Sequence, residues 1–232
     1  MTKGVLYLIP VPIHSENEFD IKLIPPYIIE IINNIKVFAV ENIRTSRRFI
    51  KKINREYNID NTEFIVIDKR ANELVYTEII NKLLIGNHVG VMSESGCPGI
   101  ADPGQKVCEL AHQNNIKIKP LIGPSSIITA LMSSGLNGQE FKFHGYLPID
   151  QKERISKIKK LSKEKGSHIF IETPYRNQKV FNDFITHLVP NKKICIATDI
   201  TGENEQILTK KVSEFYNYKE KLEKYPTIFI FE

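Results

Sequence analysis

Short apolar runs alternate with amphipathic stretches along most of this chain. Val5 to Ile9 is apolar at successive positions, as in a strand buried on both faces. Pro25 to Asn34 predicts a helix, with two prolines suited to its first turn. Strands follow at Lys36 to Val40, Glu63 to Ile67, His88 to Met92 and Lys117 to Leu121. Helices are predicted between them, at Thr45 to Tyr57, Ala71 to Ile85 and Gln105 to Asn114. Gly86 and Asn87 supply stop residues. This βαβα rhythm predicts a mostly parallel, helix-covered sheet.

The texture changes at Ile122. IGPSSIITALMSSG reads as a tight turn into a helix. Strands are predicted at Phe141 to His144, Ser167 to Glu172, Lys193 to Asp199, Gln206 to Thr209 and Thr227 to Phe231. Helices are predicted at Glu153 to Glu164, Gln178 to Leu188 and Val212 to Leu222. Strands here follow one another more directly, so a mixed sheet is expected. The reading is α/β, with an N-terminal lobe at residues 1–121 and a C-terminal lobe at 122–232. Two lobes with no linker are expected to pack closely and form a cleft.

Composition narrows the setting. Apolar residues make up 41% and charged residues 25%, ordinary for a globular protein. No run approaches the roughly 18 apolar residues of a membrane span. MTKGVLYLIPVPI reads as a first strand and not as a signal peptide. The three widely spaced cysteines suit a reducing cytosol, so a cytoplasmic location is expected. The six histidines form no HExxH pattern, and no metal is expected. The formal charge of +5 suits a polyanionic partner, and equally a solvated lysine-rich surface.

Candidate chemistry gathers at the predicted strand ends, where open α/β sheets bind ligands. Ser93 to Gly104, SESGCPGIADPG, packs glycines, prolines, acids and a cysteine into one loop. No Gly-Lys-Ser/Thr follows it, and it lacks GxGxxG spacing. Such a loop presents bare N–H and C=O groups to a flat, polar ligand such as adenosine. GPSS at 123–126 adds hydroxyls and a helix N-terminus. Glu41, Glu94, Asp102 and Glu172 are acids at strand ends. Each fits either a proton acceptor or a turn and cap acceptor.

SESGCPGIADPG, IGPSSIITALMSSGL, FKFHGYLP and FIETPYR resemble, in order, motifs of the tetrapyrrole methylase superfamily. They are most similar to the branch that methylates the ribose 2′-hydroxyl of 16S ribosomal RNA. That branch reads SDAGTPGISDPG, PGPSAAITALSASGL, FLFEGFLP and FYESPHR there. GVLYLIPVPI resembles its GTLYIVATPIGNL, and ENIRTSRRFI its EDTRHTRKLL. The likeness runs from about Gly4 to the C-terminus.

The resemblance implies a homodimeric methyltransferase that binds S-adenosyl-L-methionine between two α/β lobes. It places Ile9, Pro10, Cys97, Ile100, Ser125, Ser126, Glu172, Thr173, Ala197, Pro226 and Thr227 around the cofactor, largely through backbone atoms. Methyl transfer to a ribose needs alignment and a proton acceptor. Glu94, Glu41 and Arg44 are the catalytic candidates. Arg44 and Arg176 match family arginines, suited either to a phosphate or to a carboxylate. The implied partner is ribosomal RNA of the small subunit. A Cys97 thiol is not required by this chemistry.

Two departures fall on the substrate side. The family's Gly-Asn-Leu is His14-Ser15-Glu16, and its EDTR is Glu41-Asn42-Ile43-Arg44. They keep two other readings open. One is a methylase of this fold with a tetrapyrrole or protein acceptor; the other is a cofactor-binding module without catalysis. RTSRRFIKK at 44–52 and KERISKIKK at 152–160 offer positive faces to RNA, or are ordinary solvated helix surfaces.

Overall fold

A strand with no polar side chain needs cover on both faces, and β2 (Val37–Val40, VFAV) has it. In the computed structural model, which describes residues 2–13, 20–68, 70–218, 221–222 and 224–232, all four of its residues are buried. Phe38 and Val40 face one core with Ile28 and Ile32 of α1 (Pro26–Asn33) and Phe49, Ile50 and Ile53 of α2 (Ile43–Ile53). Val37 and Ala39 face a second core with Ile79, Ile80 and Leu83 of α3 (Glu73–Leu84) and Val107 and Ala111 of α4 (Gln105–Gln113). This is the period-2 alternation of a strand, read by two helix layers. Each fully buried Phe or Ile contributes ~2 kcal/mol of transfer free energy.

The first sheet adds β1 (Val5–Leu8), β3 (Glu63–Val66), β4 (Val89–Met92) and β5 (Lys117–Pro120). Its order is β3-β2-β4-β1-β5 and every pairing is parallel. Pro120 is tolerated because β5 is an edge strand. Because β1 and β4 are parallel neighbours, the loops that follow them leave the sheet side by side.

The second sheet holds β6 (Phe141–Phe143), β7 (Ser167–Glu172), β8 (Lys193–Thr198), β9 (Gln206–Lys211) and β10 (Thr227–Phe231), in the order β6-β7-β10-β8-β9. Only β6 and β7 pair in parallel; the others are antiparallel. The expected mixed sheet is therefore found. On one face α6 (Gln151–Leu161) and α7 (Pro174–His187) supply Ile158, Leu161, Val180, Phe181 and Phe184 to a core shared with Phe170, Phe229 and Phe231. Among the described residues the remaining α-helix is α5 (Ser126–Ser134). The chain forms two compact units, Met1–Ser125 and Ser126–Glu232, whereas the sequence texture changes at 121/122, just past β5.

Two sequence expectations need adjustment, and one element was not expected. The helix expected at Val212 to Leu222 is a short 3-10 turn at Val212–Phe215 among the described residues. Helix α7 begins at Pro174, one turn before Gln178, because proline at the first helical position is already set for helix entry. A 3-10 turn at Ile21–Leu23, capped by the Asp20 side chain, carried no periodic signal. His14, Ser15 and Glu16 lie outside the described residues. Among the described residues, no helix is long and apolar enough to cross a membrane.

Candidate functional site

In the first unit, three loops at the carboxyl end of the sheet are stitched together. The Val11 N–H donates to Gly96 O at 2.9 Å, joining the loop after β1 to the loop after β4. Ser95 Oγ donates to Ile13 O at 3.0 Å, and Cys97 Sγ to Pro124 O at 3.3 Å. Gly123 lies so close to Pro10 that a Cβ added there would stand 2.5 Å from Pro10 Cβ. Only a glycine permits that approach.

The Ser93–Gly104 loop holds its own shape. The Gly99 N–H donates to Pro103 O at 3.0 Å, and the Ile100 N–H to Cys97 O at 3.3 Å. Gly104 has φ 135°, and an added Cβ there would stand 3.0 Å from Gly99 N. Ala101 takes φ 66°, a left-handed conformation a side chain rarely adopts. The outcome is a pocket of about 360 Å³ walled by Leu8, Pro10, Cys97, Ile100, Pro120 and Leu121. Pro10, Cys97 and Ile100 are thus brought together, while Ile9 is wholly buried in the adjoining core. Burial, with Asp102 nearby, pushes the Cys97 thiol up, which favours its neutral form.

The acids divide. Glu41, at the end of β2, accepts the Glu94 backbone N–H on Oε2 at 3.1 Å, while the Glu94 side chain is exposed. Arg44 is exposed in the first turn of α2, whose N-cap Asn42 accepts the Arg44 N–H at 2.9 Å. Asn42, which stands where the resembled motif has aspartate, caps the helix.

In the second unit, Glu172 is buried at the end of β7. Its Oε1 accepts the Leu147 N–H at 3.1 Å and pairs with Arg176 at 3.3 Å. Burial pushes its carboxyl up, against the lowering pull of the Leu147 N–H and Arg176. Arg176 also donates to Leu147 O at 2.7 Å and Pro148 O at 3.1 Å, so it serves the protein's own carboxylate and carbonyls. Thr173 occupies the N-cap position of α7 yet makes no side-chain cap bond. Thr173 Oγ1, Glu172 Oε2 and Asn177 Oδ1 are buried without a protein partner. Such orphaned oxygens suit the hydroxyl or amino hydrogens of a bound ligand. The apolar pocket of the first unit suits a flat, partly apolar ligand.

Of the remaining cofactor candidates, Ala197 and Thr227 are buried on β8 and β10, and Pro226 is exposed just before β10. Ser125 and Ser126 are half-buried at the start of α5. Asn177 was not foreseen. Its Nδ2 bonds Leu222 O at 2.7 Å, Tyr225 O at 2.8 Å and Thr227 Oγ1 at 2.9 Å, tying the 222–227 segment to α7. Its spacing to Val180, Phe181 and Phe184 puts it on the apolar face of α7, a legible sign of a buried polar anchor.

Comparison with known proteins identifies the architecture. The profile of the Tetrapyrrole (Corrin/Porphyrin) Methylases matches residues 19–216. A protein of Buchnera aphidicola (Schizaphis graminum) named ribosomal RNA small subunit methyltransferase I is 31% identical over 210 residues, covering 90% of this chain and 70% of that one. A Vibrio cholerae protein of the same name is 28% identical over 214 residues, covering 92% and 71%. Among solved structures, the methyltransferase CobJ matches with TM-score 0.61 at 13% identity, covering 100% of this chain and 94% of that one. Cobalt precorrin-4 methyltransferase, CbiF, matches with TM-score 0.61 at 15% identity, covering 97% and 94%. A family profile that spans most of the chain, over a fold of one parallel and one mixed sheet, leaves a single conclusion: the chain belongs to the tetrapyrrole methylase family and is a methyltransferase that takes S-adenosyl-L-methionine as its methyl donor.

Proposed function

We propose that the methyl acceptor is a ribose 2′-hydroxyl of small-subunit ribosomal RNA. The observation that carries this reading is the likeness, at 28–31% identity, to proteins named ribosomal RNA small subunit methyltransferase I, over 90–92% of this chain and 70–71% of theirs. The solved structures of corrin-type methyltransferases are too distant in sequence to bear on the acceptor.

In this reading the cofactor-binding residues are Pro10, Cys97 and Ile100, Ser125 and Ser126 at the start of α5, and Glu172 and Thr173. The pocket volume and the orphaned oxygens support those assignments. When bound, the cofactor supplies a methyl group on a sulfonium, already joined to a good leaving group. The protein's own work is alignment and removal of one proton. The 2′-hydroxyl oxygen gains the methyl group, and its proton passes to a carboxylate. Glu94 is assigned that role because its side chain is exposed beyond β4, while Glu41 fixes the Glu94 backbone through the 3.1 Å bond. Arg44 is exposed beside them at the start of α2 and is assigned an RNA phosphate. A cytoplasmic homodimer completes the proposal.

The test is incubation with labelled methyl donor and small ribosomal subunits from cells lacking this protein, followed by mapping of the label. Label on one ribose of the small-subunit RNA is expected. Label on no RNA, with the cofactor bound, would favour a different acceptor.

A further inference from the structure

The second unit carries another pocket, of about 520 Å³, between α6 and α7. That volume falls within the ~300–1,000 Å³ of small-ligand sites. Three cations line it, Arg154, Arg176 and Lys179, beside the acid Asp183 and the aromatic Tyr175. Tyr175, in the first turn of α7, is 76% exposed, so its ring is open to solvent. Asn182 and Gln151 add amide groups.

The wall of this pocket is rigid. Arg154 Nε pairs with Asp183 Oδ2 at 2.6 Å, with both side chains almost wholly buried. Arg154 Nη1 donates to Pro148 O at 3.1 Å and Ile149 O at 2.8 Å. Arg176 takes Leu147 O and Pro148 O, and Glu172 takes the Leu147 N–H. Three consecutive carbonyls are therefore held by two guanidinium groups. Burying such a pair carries a desolvation cost that apolar packing would avoid. What it secures is a fixed segment at 147–149 and a fixed first turn of α7.

We propose that this pocket takes one unpaired nucleotide of the RNA acceptor, with the base stacked on Tyr175 and its phosphate near Lys179. The inference rests on the reading that the acceptor is RNA. A π face beside cations is the chemistry that binds single-stranded nucleic acid without regard to sequence. Tyr175 lies two residues past Thr173, so the nucleotide is held close to the donor-side residues of the same unit.

The experiment uses the full chain and a fluorescent single-stranded oligoribonucleotide of about six residues, read by anisotropy. Tyr175→Ala is expected to weaken binding by about tenfold or more, and Tyr175→Phe, which keeps the ring face, by less than about twofold. Lys179→Ala is expected to lower the salt slope of binding by about one. Cofactor affinity by calorimetry serves as the folding control. Equal binding by Tyr175→Ala and the parent, or an unchanged slope in Lys179→Ala, overturns the pocket. A parent that methylates small subunits but ignores the oligomer also overturns it, leaving the acceptor reading intact. A parent that neither binds nor methylates ribosomal RNA overturns the acceptor reading and this inference together.

Discussion

The carboxylate of Glu41 accepts the backbone N–H of Glu94 at 3.1 Å, across the ends of two neighbouring parallel strands. The bond sets where the Ser93–Gly104 loop begins its turn. It also gives the two acids different duties, since Glu41 is used as an acceptor and Glu94 extends outward.

Glu41→Gln keeps an acceptor for that N–H and is expected to retain most methyl transfer. Glu41→Ala removes it and is expected to lose about 1–2 kcal/mol of stability and tenfold or more in turnover. Glu94→Gln, which cannot take the proton, is expected to lose ~10²-fold in turnover with cofactor affinity unchanged. Labelled methyl transfer to small subunits and calorimetry decide both. Equal loss in Glu41→Gln and Glu41→Ala would show that the Glu41 charge itself is needed.

Ser125→Trp places a large ring at the turn into α5 and is expected to abolish cofactor binding while leaving the circular dichroism of the parent. Unchanged affinity by calorimetry would remove GPSS from the pocket.

Gly104→Ala tests the loop. At φ 135° and 3.0 Å from Gly99 N, an added methyl group strains the backbone and crowds its neighbour. A loss of about 1–3 kcal/mol is expected from denaturant midpoints. Weaker cofactor binding should accompany it, because Gly99 lines the pocket.

Glu172 separates stability from binding. Its folded-state pKa is raised by burial, so its charge costs the fold more as pH rises through that value. Glu172→Gln is therefore expected to gain stability relative to the parent as pH increases, while cofactor affinity falls about tenfold. Glu172→Ala, unlike Glu172→Gln, leaves the Leu147 N–H without its acceptor, and is expected to cost about 1–3 kcal/mol more than the Gln variant.

A histidine pair sets the acid side. His144 Nε2 and His168 Nδ1 lie 2.9 Å apart, within ring contacts from Phe170 and Phe231. Burial, the His168 ring, Lys157 and Lys142 lower the His144 pKa to about 4. His168 is lowered by burial, Lys192 and Lys142, against an opposing pull from Glu164. Both rings are neutral in the fold, and the unfolded chain takes up protons first. The stability contributed by this pair is thus full above about pH 6.5 and falls as pH drops toward 4. His144→Phe, which keeps the stack on Phe170, is expected to flatten that slope in urea midpoints taken across the window.

The sequence by itself determined the two kinds of sheet, the strand-end loops and the family. Buried parallel strands such as VFAV carry their own signature, and glycines mark positions only a bare backbone can occupy. The start of α7 was less legible, because Pro174 acts through preorganisation and adds no periodicity. Only the tertiary structure decided which polar groups meet. Glu41 with Glu94, Arg154 with Asp183, and Asn177 with the 222–227 segment are joined across 53, 29 and up to 50 residues. Local propensity and periodicity act over a few residues, whereas a hydrogen bond between distant residues exists only once the sheets and helices have fixed both partners in space.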